Sequence, residues 1–432
     1  MASSTSSNNL LDRYEILEPL RGIASLWVFL KHYHFSEAFI AQAGFFHDFL
    51  KAGGLGVPMF FVISGFCLAL AARRAMGKGE SPLNFLGRRA WRIYPTFWAS
   101  IAFILLLRGC VMWLVPSTIT PFGPKLPAVP TYTWLDWVRV LTLSQQFNPK
   151  SGIWIFRFSQ VNAAYWSLAI EFQFYILVSL ALYFPKYFYR ILGALAVVGI
   201  PFAIWKFPFF YSVKTGIGLA YLPWFALGIG TVWLLENGFT PERFLRQRAE
   251  RIAWLYCCLV ILVVCVLAAY KIRIIHFWFA GATALGIWLS TSVKPRSADS
   301  QGELEKLISQ FVFQPLVLLG AMSYSLYLVH NEAYYSLQRL MMWQGVRFGI
   351  IADLLVACGT LTIAYLFYRG SELPFLRSRA TIPAATGQAS NVAPEFVPAL
   401  QGGPFSIALL QRHLSDNNSH SDHSGSVKPQ LS

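Results

Sequence analysis

Leu55-Gly56-Val57-Pro58-Met59-Phe60-Phe61-Val62-Ile63-Ser64-Gly65-Phe66-Cys67-Leu68-Ala69-Leu70-Ala71-Ala72 contains no charged residue, and Arg73-Arg74 follow it at once. A helix of ~20 apolar residues spans the hydrocarbon core of a bilayer, so this run reads as a membrane span. The arginine pair at its end marks the cytoplasmic side. Similar runs lie on either side of it. The spans expected are 17–36, 55–72, 94–114, 163–184, 190–206, 215–235, 252–270, 273–292, 311–335 and 349–369. Gly and Pro interrupt several of them, which membrane helices tolerate because neighbouring helices satisfy the freed backbone groups.

Composition supports the same reading. Of 432 residues, 56% are hydrophobic and only 13% charged. A soluble domain carries about 25% charge, so several water-solvated cores are excluded. The net charge of +15 would point to nucleic acid in a soluble chain. Its distribution argues otherwise. With the N-terminus placed inside, the inside segments hold 22 Lys and Arg and the outside segments 11. Basic charge is therefore a property of one membrane face. The expectation is an all-α, polytopic membrane protein of about ten transmembrane helices, with both termini cytoplasmic. A polar segment covers residues 1–15, the transmembrane domain residues 16–380, and a disordered cytoplasmic tail residues 381–432. The tail shifts to Ser, Asn, Gly, Asp and Pro. The long segment 115–162 reads as a polar outside loop.

Ionisable groups inside apolar spans mark function by default. Four blocks carry them. In the first, Arg21 and His32 are eleven residues apart. At 100° per residue that is three turns plus about 20°, which puts both on one stripe of a helix, ~16 Å apart along its axis. The second is Arg88-Arg89-Ala90-Trp91-Arg92-Ile93-Tyr94-Pro95, a basic hinge in which Pro95 is expected to open the next span. Clustered guanidinium forks suit phosphate or carboxylate groups, and anchoring to anionic lipid is the structural alternative. The third is Trp166-Ser167-Leu168-Ala169-Ile170-Glu171-Phe172-Gln173-Phe174-Tyr175, where Ser167, Glu171 and Tyr175 share a face. A carboxylate there needs a partner, and one of the cations is the expected one. The fourth is Ser323-Tyr324-Ser325-Leu326-Tyr327-Leu328-Val329-His330, with Ser323, Tyr327 and His330 on one face. Polar residues also join helices within membranes, so a purely structural role competes for each block.

The six Cys lack framework spacing and CxxC pairs, so no metal site is expected. There is no Gly-rich nucleotide loop, no HExxH and no GxSxG elbow.

Taken in order, these blocks resemble the acyltransferase-3 family of integral membrane acyltransferases, over residues 15–377. The similarity includes Arg21-Gly22-Ile23-Ala24 running on to His32, the Gly56 to Phe66 run and the basic hinge through Pro95. It extends to the Trp166 to Tyr175 block, the Ser323 to His330 block and the closing Glu372-Leu373-Pro374. The resemblance implies transfer of an acyl group, usually acetyl, from a cytoplasmic acyl-CoA to a hydroxyl of a carbohydrate or glycoconjugate acceptor. No cofactor would be bound permanently, and the enzyme would be a multi-pass protein of the plasma (inner) membrane. Arg21, Arg88, Arg89 and Arg92 would then hold the phosphates of acetyl-CoA or another acyl-CoA. His32 would act as general base or as acyl relay, with Glu171 as its catalytic companion. Ser64, Trp166, Tyr327 and His330 are the expected substrate-contacting residues. A transporter or flippase for a glycan, lipid or organic anion is the competing reading. The ordered blocks and the absence of a visible internal repeat favour the acyltransferase.

Overall fold

The computed structural model describes residues 16–116, 130–147, 161–204, 217–245, 275–292, 309–347 and 349–380, with a few single positions between them. The polar N-terminal segment, the tail from residue 381 and most of the expected span 252–270 lie outside the described residues. Among the described residues the chain is helical throughout, with no strand.

Fourteen of the fifteen described α-helices carry the fold, the short Pro241–Leu245 aside. They are α1 (Leu17–His32), α2 (Glu37–Ala43), α3 (Phe45–Lys51), α4 (Gly56–Gly77), α5 (Pro82–Leu114), α6 (Trp134–Leu141), α7 (Tyr165–Ala181), α8 (Phe188–Ile204), α9 (Leu222–Glu236), α10 (Ile275–Ser290), α11 (Gln314–Ala321), α12 (Ser323–Trp343), α13 (Ile350–Phe367) and α14 (Leu373–Ala380). Every expected span but 252–270 overlaps a described helix, and the expected span 311–335 is divided at Met322 between α11 and α12. Five helices are long and apolar enough to cross a membrane: Phe46–Gly77, Pro82–Leu114, Pro185–Ala203, Leu219–Glu236 and Ile350–Leu376. The count is six if α11 and α12, bent by 80° at Met322, form one span. The remaining helices fall short for visible reasons. Helices α7 and α10 have only 17 and 16 residues, and α1 carries Glu18, Arg21 and Lys31.

Outward faces are apolar. Leu106, Trp113, Val197, Ile351, Leu355 and Leu366 are all exposed. That pattern suits a surface solvated by lipid. Inside, rings of α4, α7 and α9 interlock, with Phe61 to Phe174 at 5.5 Å and Phe174 to Phe225 at 4.4 Å. Helices α4 and α9 approach closely through glycine. A methyl group at Gly65 would strike the Phe225 carbonyl, and one at Gly228 the Val62 carbonyl. Small residues set such crossings where apolar burial gives no drive.

Three local features differ from the sequence expectation. The basic hinge is not a break. Helix α5 starts at Pro82, capped by Ser81, whose side chain accepts from the Asn84 N–H at 3.2 Å, and runs through Pro95. Arg88 to Arg92 are therefore early turns of one 33-residue helix. Near the proline, Tyr324 of α12 donates to the Ile93 carbonyl at 2.9 Å and ties the two helices together. The segment 115–162 is not simply an outside loop. Its helix α6, closed by a Thr133/Asp136 capping box, returns to the middle of α5. There Tyr94 donates to the Thr142 carbonyl and Trp98 to the Leu141 carbonyl, each at 3.0 Å. Finally, α13 does not end at residue 369 but passes through a π-helical turn, Tyr368–Glu372, into α14. That turn is what brings Glu372 inward.

Candidate active site

Helix α1 is central to the site, because it packs against α4, α11 and α12. Its stripe from Arg21 to His32 connects two levels of polar groups.

Arginines and carboxylates form the first level. Arg21 donates to Glu18, one turn earlier, at 3.3 Å. It also lies within electrostatic reach of Glu171, Glu372 and Cys67. Cys67 on α4 has Arg21, Arg92, Glu18 and Arg89 around it. Arg92 is half-buried and faces Glu372, Tyr175 and Cys67. Arg89 is buried, with its guanidinium 5.4 Å from the Phe85 ring. Arg88 takes a different course and forms an ion pair with Glu80. Thus Arg21, Arg89 and Arg92 converge, whereas Arg88 is held at the edge.

The carboxylates of this level are met by hydroxyls. Ser64 and Tyr175 both donate to Glu171 Oε1, each at 2.8 Å. Ser325 donates to Glu372 Oε2 at 2.5 Å. Glu171 was expected to pair with a cation. Its hydrogen bonds come instead from hydroxyls, with Arg21 near enough to act through space.

The second level is built from imidazoles. His32 Nδ1 lies 2.8 Å from the Val28 carbonyl. A carbonyl only accepts, so Nδ1 carries the hydrogen, and in the neutral ring Nε2 keeps its lone pair. His32 is exposed. His330 on α12 stands beside it, ring centroids 5.5 Å apart. One turn earlier on α12, Tyr327 shares a 2.7 Å hydrogen bond with Ser167 of α7. Trp166 stands apart and packs on Tyr221, centroids 5.5 Å apart.

Two residues on from His330 along α12, Glu332 is half of a buried ion pair that the four blocks do not include. Arg108 donates to Glu332 Oε2 from Nη2 at 2.6 Å and from Nε at 3.0 Å, and to the Val161 carbonyl at 2.8 Å. Asn162 ties the same corner to α12 by donating to the Leu328 carbonyl at 2.6 Å. The signal was available: Arg108 and Glu332 are ionisable residues within apolar helices. Glu18 could be found from its spacing to Arg21. Nothing in local sequence marks Cys67 as a neighbour of three arginines.

Comparison with known proteins decides the class. The acyltransferase domain family matches residues 15–369. The chain belongs to this family. It is a membrane-embedded acyltransferase. The acyltransferase MdmB of Streptomyces mycarofaciens is 27% identical, covering 90% of this chain and 98% of its own length. The putative membrane-bound transacylase BcsY of Komagataeibacter xylinus is 26% identical over 74% of this chain and 72% of its own. The exopolysaccharide production protein ExoZ of Rhizobium meliloti is 28% identical over 31% of this chain and 36% of its own. No solved structure matches the chain.

Proposed function

We propose that the protein transfers an acyl group, acetyl foremost, from a cytoplasmic acyl-CoA to a hydroxyl of a carbohydrate-containing acceptor. In this reading the chain crosses the plasma membrane about ten times, with both termini cytoplasmic. The arginine level then faces the cytoplasm, which agrees with the excess of Lys and Arg on the inside segments. The single observation that carries the chemistry is the His32 ring. Its Nδ1–H is spent on the Val28 carbonyl, which leaves the Nε2 lone pair on an exposed ring. That is the form a general base or an acyl-accepting nucleophile needs.

The donor's phosphates fit the convergence of Arg21, Arg89 and Arg92, since guanidinium forks bind phosphate oxygens in pairs. The ~16 Å from Arg21 to His32 is then bridged by the extended thiol arm. Glu171 and Glu372 keep the arginines in place and balance their charge while the site is empty. Ser64 serves Glu171. Tyr327, through its hydroxyl beside Ser167, is placed to meet the acyl oxygen. The name of ExoZ, an exopolysaccharide production protein, supports a saccharide acceptor.

The test uses purified protein in detergent with acetyl-CoA and a panel of glycans, following release of free CoA thiol. Wild type should release CoA in an acceptor-dependent way, and His32→Ala should not. Equal rates for the two would remove His32 from the chemistry. Movement of substrate without thioester consumption would favour a transporter instead.

A further inference from the structure

His330 is nine-tenths or more buried, at 2% exposure. Its Nδ1 sits 3.1 Å from the Leu326 carbonyl and 3.0 Å from the Tyr327 carbonyl. Both are acceptors, so Nδ1 carries the hydrogen and the neutral ring has its lone pair on Nε2. That Nε2 is buried without a hydrogen-bond partner. An unmet buried acceptor is costly and rare in a native interior. Here the unmet atom belongs to the ring beside His32, 5.5 Å from it centre to centre. The His330 ring is fixed in place. Phe29 of α1 packs edge-on against it at 6.2 Å and Tyr327 lies at 6.3 Å. Both imidazoles thus present the same tautomer, hydrogen held by backbone and lone pair open. The resting pair offers two acceptors and no donor, which is an arrangement that waits for a proton.

We propose that His330 is the proton-sharing partner of His32. The inference rests on His32 acting as base in acyl transfer. As the acceptor oxygen forms its bond to the thioester carbon, its O–H bond breaks and the proton passes to His32 Nε2. The new N–H then has a lone pair to meet on His330 Nε2, and the two rings hold one proton between them. When the C–S bond breaks, the departing thiolate takes that proton and leaves as thiol, and both rings return to their resting tautomer. No further reactant is needed. His330 is a positioning residue in this scheme, since it acts on the reaction through His32. Other charged or titratable groups facing His32 are Lys31, His34 and Lys51. Glu332, two residues on from His330, is paired with Arg108. Of these only His34 carries a further imidazole, and its ring is stacked on Tyr334, centroids 6.1 Å apart.

The proposal is tested with His330→Phe and His330→Gln, each assayed for acetyl-CoA turnover with the same glycan panel, and with 15N-histidine NMR of the full chain in detergent. His330→Phe should lower kcat about 100-fold, within the range general-base assistance supplies, and leave KM for acetyl-CoA within about twofold. The amide oxygen of His330→Gln reaches the Nε2 position and can accept but not hold a proton, so it should recover about tenfold of the loss. A structural filler would instead be rescued by Phe, and its loss would show in KM or in thermal unfolding. Should His330→Phe not fold, His330→Gln and the wild-type spectrum decide. The spectrum should show both rings in the Nδ1–H form without substrate. An Nε2-protonated His330 in that spectrum would overturn the proposal, as would a kcat for His330→Gln within threefold of wild type. An active His32→Ala enzyme would instead sink the parent reading, whatever His330 does.

Discussion

The arginine level and the histidine level are joined by α1 and are built on different principles. Around Arg21 the structure gathers full charges and meets most of them with partners: Glu18 takes Arg21 through Oε1 while its Oε2 is buried without a hydrogen bond, Ser64 and Tyr175 serve Glu171, and Ser325 serves Glu372. Around His32 it keeps the rings neutral in tautomer and leaves lone pairs unmet. Clustered guanidinium groups suit the binding of a polyanion, whose phosphate oxygens they bind in pairs. Open lone pairs suit proton transfer. On the proposed reading, affinity and chemistry are separated along α1 by the length of the donor's arm.

Breaking the comparison at its chemical end should have the largest effect. His32→Ala should reduce kcat by about 1,000-fold or more, read as CoA thiol release, with the protein still folded. Next in size is the support beneath that level. Arg108→Ala strands Glu332 in the interior, and losing one member of a buried pair costs about 3 to 5 kcal/mol, which thermal unfolding in detergent would record. Arg92→Ala probes the binding end. It should raise KM for acetyl-CoA about tenfold with kcat nearly unchanged, as removal of uniform binding does. The smallest effect is expected at Arg88. It is held by Glu80 away from the convergence, so Arg88→Ala should change KM by less than about twofold. If Arg88→Ala and Arg92→Ala had equal effects, the cluster would be a diffuse anchor rather than a shaped site.

Much of this was legible in the sequence, and the reasons for the rest are physical. Helix positions followed from apolar length, and shared faces from the helical period. Arg21 and His32 do lie on one helix, and Ser167, Glu171 and Tyr175 do lie on another. Period alone does not give the partner across a helix interface. Ser64 meets Glu171 from 107 residues away, and Arg108 meets Glu332 from 224. Such pairs depend on which helices touch and at what height, set here by close approaches such as Gly65 against Phe225. The basic block read as a hinge because Pro95 normally ends a helix in water. Here Pro95 lies inside α5 and the helix continues through it. Glu372 stood out only as a motif residue. Its inward position comes from a π turn, which no local pattern announced.

The central claim is the division of labour along α1, and one paired measurement addresses it directly. CoA affinity by titration and turnover at saturating acetyl-CoA should be recorded for His32→Ala and Arg92→Ala on the same preparation. His32→Ala should bind CoA as wild type does and fail to turn over, while Arg92→Ala should bind weakly and turn over at saturation. Loss of CoA binding in His32→Ala, or loss of saturated turnover in Arg92→Ala, would contradict the account.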